Sequence, residues 1–370
     1  MIVACRLFLC NMHLQHIRLV GFKNYDEAEF SFIPTVNCIT GANGKGKTNL
    51  LDAIHYLCLC KSFLNPVDTQ NIRHEAPFFV IEGDFWREGK DEQIFCGLKR
   101  GMKKQFKRNK KEYERLADHI GLFPVVVISP LDHILLTGGS EERRKFTDSL
   151  ISQFDHSYLE DLMAYNRLVA QRNALLKHFF ESRKFDRETL GVYNEQLIPY
   201  GNAVYQRRKD FINRFTPVFS ELYNFLSGKA EEVSLVYESH LHNGDFASLL
   251  NDAIEKDRML QYSTVGIHKD DLVFQLNGYP VRKFGSQGQQ KTYLTALKLA
   301  EHDFLAQMKG FSPILLLDDI FDKLDQDRVG KLISKVSEEG FGQVFITDTG
   351  KEKLSAIFDK FGITTSFIHP

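Results

Sequence analysis

The sequence predicts an α/β protein whose mixed sheets are interrupted by a helical arm. Three observations carry that expectation. Apolar runs of strand length alternate with helical patterns at both ends of the 370-residue chain. A glycine-rich turn at 41–48 joins one such run to a helical stretch. Between Ser140 and about residue 227 the pattern is helical, with few strand signals.

The elements follow in order. Segments 13–22 and 27–33 read as strands joined through "FKNYDE", and residues 35–40 form a short strand running into the glycine turn. Helical spacing follows from Asn49 to Leu59. Segments 78–85 and 92–100 alternate as strands, "KKQFKRNKKEY" reads as a further strand turning at Asn109, and 123–129 is a buried strand ended by Pro130. Ser140 is placed to cap a helix, with Glu141 and Glu142 in its first turn, where the helix dipole favours acids. "YLEDLMAYNRLVAQRNALLKHFF" continues as a long amphipathic stretch. Strands resume near 233–237 and at 270–278, and a helix runs from about Gly288 to Met308. A buried strand at 312–319, a helix, a strand through "GQVFITD" and a last helix at "KEKLSAIFDKF" complete the alternation.

Composition narrows the function. With 43% hydrophobic and 26% charged residues the chain has a real core and a soluble surface. The net charge of −1 points to no acidic partner, so any nucleic-acid binding must come from a local basic face. The longest aliphatic runs fall far short of the roughly 20 residues a membrane helix needs, so no membrane partner is expected. Six scattered cysteines without a C-x-x-C pair suit a reducing cytoplasm. His55, Cys58 and Cys60 lie close together, but no fourth zinc ligand is in sight, and a helix burying its cysteines is the preferred reading. Residues 1–11 are expected to be an N-terminal extension with little structural role.

The chemistry starts at Gly41, Ala42, Asn43, Gly44, Lys45, Gly46, Lys47 and Thr48, which satisfy G-x-x-x-x-G-K-[ST] between a strand and a helix. Glycines let backbone N–H groups turn inward around phosphate oxygens, and the helix start adds unpaired N–H groups and a positive dipole end. Lys47 is expected on the β and γ phosphates of ATP, with the Thr48 hydroxyl on Mg²⁺. "ILLLDD" supplies the matching carboxylates. Asp318 is expected to hold Mg²⁺ through water, and Asp319 to orient or deprotonate the attacking water. Lys47 and Asp318 lie near opposite ends of the chain, whereas a compact P-loop enzyme keeps these motifs close. The helical stretch is the insertion between them. Ser286, Gly288 and Gln289 stand at a second phosphate-friendly helix start. It reads as a cap for ATP bound by a partner subunit, or as an ordinary glycine-rich N-cap.

Taken together these motifs resemble SMC-type ATP-binding-cassette heads, and most closely the RecF family of recombination and repair ATPases, from about Met12 to the C-terminus. "LVGFKNY" (19–25), "GANGKGKTNLLDAI", "ISPLDHILLTGGSEERRKFTD" (128–148), "GIHKDDLVFQLNG" (266–278), "FGSQGQQKT" and "LLLDDIFDKLD" occur in family order. The resemblance implies an ABC-type ATPase head in parts 12–136 and 229–370, split by a helical arm at 137–228. It implies an ATP-dependent homodimer with Ser286 of one subunit facing the γ-phosphate held by Lys47 of the other, and slow hydrolysis that resets the dimer. It further implies binding to DNA at single-strand/duplex gap junctions, and work with RecO and RecR in loading RecA. Some positions depart from pattern. The D-loop, Asp322–Asp325, lacks its leading Ser; Ile267 and Lys269 replace Pro and Arg; and Thr347 or Asp348 stands where a switch histidine is usual. No Q-loop glutamine is evident near "VVISPLD".

Between Lys99 and Arg115 nine basic residues (Lys99, Arg100, Lys103, Lys104, Lys107, Arg108, Lys110, Lys111, Arg115) face two acids, Glu112 and Glu114. This is either a hairpin lying along phosphates or a solvated tip. Arg207–Arg208–Lys209 offers the same choice. Rival functions are a transporter ATPase subunit, which would carry L-S-G-G-Q and lack the arm, an OLD-type ATPase-nuclease, which needs a further carboxylate domain, and a head that binds ATP without hydrolysing it.

Overall fold

A computed structural model describes residues 12–228, 231–321, 326–338 and 341–370. The expected extension at 1–11 and the D-loop at 322–325 lie outside the described residues. The chain forms two compact units, one drawn from 1–132, 222–229 and 291–370, the other from 133–221 and 230–290.

In the first unit a parallel sheet orders its strands Thr365–Ile368, Val36–Thr40, Val344–Asp348, Ile314–Leu317, Val125–Ile128. Three of these, Val36–Thr40, Ile314–Leu317 and Val344–Asp348, are buried along their whole length, and Ile314–Leu317 accordingly reads as an unbroken aliphatic run rather than an alternation. The second sheet is antiparallel, in the order Tyr25–Ser31, Met12–Phe22, Phe78–Arg87, Lys90–Lys99, Gln105–Arg108, Lys111–Glu112. Here one face is buried and the other open, and Phe78–Arg87 alternates accordingly. The helix Lys47–Leu59 joins both sheets in one core: its Leu50, Ile54, Leu57 and Cys58 pack in the same cluster as Leu14, Ile81, Ile94, Ile39 and Leu316. Cys58 and Cys60 are buried and free, as the helix-face reading requires. Gln343 ties the sheets through hydrogen bonds, accepting from Leu14 N at 2.8 Å and donating to the carbonyls of Leu14 and Ile33, both at 2.8 Å.

In the second unit the arm is built on the helices Ser140–Phe154 and His156–Ser182 and on most of Arg187–Ser227. Ser140 is already helical; the cap position is Gly139, which has no side chain, so the capping role expected of Ser140 is not met. Asp155 does cap, accepting from Tyr158 N at 2.9 Å. A small antiparallel sheet, Tyr279–Pro280, Asp271–Leu276, Val233–Glu238, belongs to the same unit. At its heart Arg172 and Asp257, both fully buried, pair at 2.7 Å, and Asn194 accepts from Arg172 Nε at 2.8 Å. The desolvation cost of such a pair is offset in part by the bonds to Asn194 and Ser263, while Arg172 Nη2 is buried with no partner among the described residues.

Burial also holds three imidazoles uncharged. His55, His119 and His268 are each pushed down from 6.5 to about 4, chiefly by loss of solvent. The unfolded chain therefore binds more protons than the native one between pH 6.5 and 4, so stability falls as pH drops through that window, with a slope of up to about 1.4 kcal/mol per pH unit for each histidine. Urea unfolding between pH 7 and 5 is expected to show this decline; a flat midpoint would contradict the burial of these rings.

Candidate nucleotide site

The glycine loop leaves the buried strand Val36–Thr40 and enters the helix at Lys47. Gly46 has φ 103, and a Cβ there would meet the Asn24 amide nitrogen at 2.5 Å and the Tyr25 hydroxyl at 2.9 Å, so glycine is required on two grounds. Gly44 has φ 82 with nothing within 4 Å of a Cβ position. The crest, Ala42 to Lys45, is exposed. The Lys47 chain is buried, and its ammonium donates to the carbonyls of Gly41 at 2.8 Å and Ala42 at 3.2 Å, folding back over the loop.

Two residues brace the loop from the side. The Tyr25 hydroxyl donates to Gly46 O at 3.1 Å, and Asn24 donates to Lys45 O at 3.3 Å while accepting from Asn49 at 2.7 Å. The motif "LVGFKNY" contains both, but sequence reasoning attached no function to them; only the fold brings this turn against the glycines.

The carboxylates converge on the same end of the parallel sheet. Thr48 Oγ1 donates to Asp318 Oδ1 at 2.9 Å, and Thr347 Oγ1 donates to the same oxygen at 2.8 Å. Burial raises the Asp318 carboxyl, and both hydroxyls pull it back down, with Asp319 opposing and Lys47 assisting. Asp319, at φ 46, is in the left-handed region, which costs a non-glycine residue about 1–2 kcal/mol, and its backbone N–H donates to Thr347 Oγ1 at 2.9 Å. Of the two residues that stand where a switch histidine is usual, Thr347 is thus hydrogen-bonded to both aspartates. After Val125–Ile128 the chain turns through Ser129, whose N–H donates to Asp132 at 2.7 Å; no glutamine stands there.

In the second unit, Ser286 is exposed at the start of the helix Gln287–Lys309. Its hydroxyl accepts from Gln289 N at 3.2 Å, and the Gln289 side chain accepts from Ser286 N at 2.8 Å, a reciprocal capping box. Gly288 is partly exposed beside them.

The basic segment does not form one face. Lys104 is turned inward to Asp68 at 2.8 Å and Cys60 O at 2.6 Å, and Arg108 pairs with Glu92. The exposed cations split between the turn carrying Lys99, Arg100 and Lys103 and the opposite turn at Lys110 and Lys111, separated by the strand Gln105–Arg108. In the arm, Arg208 is buried and bound to Asp148 and Asp270, both at 2.8 Å, so a phosphate-contacting role for it is excluded. Arg207 pairs with Asp161 at 2.6 Å, and Lys209 is exposed.

Known proteins share the sequence and fold of this chain. A family described as the RecF/RecN/SMC N terminal domain matches residues 13–366. The DNA replication and repair protein RecF of Flavobacterium johnsoniae is 51% identical over 346 residues, spanning 94% of this chain and 96% of that protein. This chain belongs to the RecF family. RecF of Phocaeicola vulgatus is 50% identical over 94% of both chains. Among solved structures, the recombination mediator protein RecF-ATP in the RecFOR pathway superposes with a TM-score of 0.86 at 30% identity, covering 92% of this chain and 93% of that one. An Smc head domain from Pyrococcus furiosus shares the fold, with a TM-score of 0.55 at 18% identity. The ABC-type ATPase head expected from the motifs is thus the fold of this RecF-family chain.

Proposed function

We propose that this RecF-family protein is a DNA replication and repair ATPase that binds ATP with Mg²⁺, dimerises around it on DNA, and hydrolyses it slowly to reset. The observation that carries this is the meeting of Thr48 and Asp318 at 2.9 Å beside a loop whose lysine is already folded over it. The hydroxyl and the carboxylate are hard oxygen donors of the type Mg²⁺ takes, alongside phosphate oxygens. Gly41, Ala42, Asn43, Gly44, Lys45 and Gly46 would wrap the phosphates, Lys47 would neutralise the β and γ groups, and Asp319 would hold the attacking water. The bound metal would draw charge from the γ-phosphate; the protein's own part is to fix the phosphates and aim the water.

Ser286, Gly288 and Gln289 would complete the pocket of a second copy. The exposure of Ser286 at the start of this helix, where the dipole end is positive, supports this reading. Ser286→Arg is expected to bind ATP with an affinity within about threefold of the parent yet remain monomeric, since the change lies on the rim and not in the loop. Sedimentation with and without ATP on gapped DNA checks this; ATP-induced dimers of the variant would contradict it.

DNA would be held at gap junctions through the exposed cations at 99–103 and 110–111 together with Arg115. With about six phosphate contacts, affinity for duplex is expected to fall roughly 10³-fold between 50 and 200 mM salt. A salt-independent affinity would remove these residues from the interface. RecO and RecR are the proposed partners, with RecA loading as the outcome, in the cytoplasm. No helix among the described residues is long and apolar enough to cross a membrane.

A further inference from the structure

Thr347 lies at the centre of the carboxylate cluster and none of the roles above uses it. It is fully buried on the strand Val344–Asp348. Its hydroxyl has one hydrogen, given to Asp318 Oδ1 at 2.8 Å, and its oxygen accepts from Asp319 N at 2.9 Å. Both of these bonds are to the two aspartates, and its one proton is committed to Asp318, so in this arrangement it has no proton left for a phosphate.

We propose that Thr347 is a positioning residue for ATP hydrolysis, a clasp that sets Asp318 and Asp319 together. This rests on the reading of those two aspartates as the metal-side and water-side carboxylates. Three points support it. First, Thr48 and Thr347 both donate to Asp318 Oδ1, and among the described residues Oδ2 accepts no hydrogen bond, so the two hydroxyls fix the rotamer that leaves one oxygen for a cation. Second, Asp319 holds a left-handed φ of 46, a conformation that persists only where its surroundings impose it. The Thr347 bond to its N–H is a side-chain contact that does so. Third, β-branching leaves threonine few χ1 choices, so the hydroxyl is held where both bonds form. Thr347 therefore acts on the carboxylates.

The test is single-turnover hydrolysis by the full chain with Mg·ATP, together with nucleotide binding, for Thr347→Val and Thr347→Ser. Valine keeps the shape and removes the hydroxyl; serine restores it. The expected result for T347V is a hydrolysis rate down about 10–100-fold, an ATP affinity within about threefold of the parent, and a Mg²⁺ requirement shifted to higher concentration. T347S is expected to recover the rate to within about threefold. Equal loss of binding and rate in T347V, or no rescue by serine, would reduce Thr347 to a packing residue and overturn the proposal. Asp319→Asn run alongside separates the two levels: if it hydrolyses normally, the underlying assignment fails; if it is inactive while T347V is normal, only the clasp fails.

Discussion

Replacing Lys47 with methionine is expected to abolish nucleotide binding without unfolding the protein. The ammonium is buried and already held by the Gly41 and Ala42 carbonyls, so it is placed at the loop before any phosphate arrives. Each charge-assisted hydrogen bond it makes to a triphosphate is worth about 1.5–3 kcal/mol, and losing two lowers affinity by roughly 10²–10⁴-fold. Methionine matches the stem in length and apolarity. Of the carbonyls it abandons, that of Ala42 lies at the loop's open crest and that of Gly41 is partly exposed beside it, so unfolding free energy is expected to change by no more than about 1 kcal/mol. Titration calorimetry with Mg·ATP and urea unfolding measure the two quantities. Tight ATP binding by K47M would remove the glycine loop from the site.

Asp319→Asn is expected to act on turnover alone. Asparagine tolerates the left-handed backbone as well as aspartate does, so the φ of 46 and the bond from its N–H to Thr347 survive. What is lost is the carboxylate that takes a proton from, or orients, water. Hydrolysis is expected to fall by about 10²–10⁴-fold while ATP affinity holds, and the ATP-bound dimer is expected to accumulate. Phosphate release and light scattering on the same sample check this. Normal turnover would assign the base elsewhere.

These predictions depend on residues that the sequence alone singles out, and the reason is physical. A phosphate cradle needs glycines and a lysine at fixed offsets along one turn, so local order alone reveals it. The strand ending in Asp318 was legible because full burial writes itself as an aliphatic run. The last strand, Thr365–Ile368, went unseen, since a four-residue edge strand of mixed burial leaves almost no period. Tyr25, Asn24 and Thr347 act across the fold: Thr347 sits 29 positions from the Asp318 carboxylate it grips, and no local pattern encodes that bond. Charge runs misled for a related reason. Arg208 reads as one of three consecutive cations, yet helical geometry turns it inward to Asp148 and Asp270 while Lys209 faces solvent.

Each ATP pocket is proposed to be shared between two copies. Mixing the two defective variants tests it directly. K47M cannot grip ATP and S286R cannot cap it, so neither alone is expected to dimerise when ATP is added. In a mixed pair, the intact loop of S286R faces the intact Ser286 of K47M, giving one complete pocket. Sedimentation of differently labelled variants is therefore expected to show ATP-dependent heterodimers and no homodimers. If the mixture stays monomeric where the parent protein dimerises, or if S286R dimerises by itself, the shared pocket is contradicted.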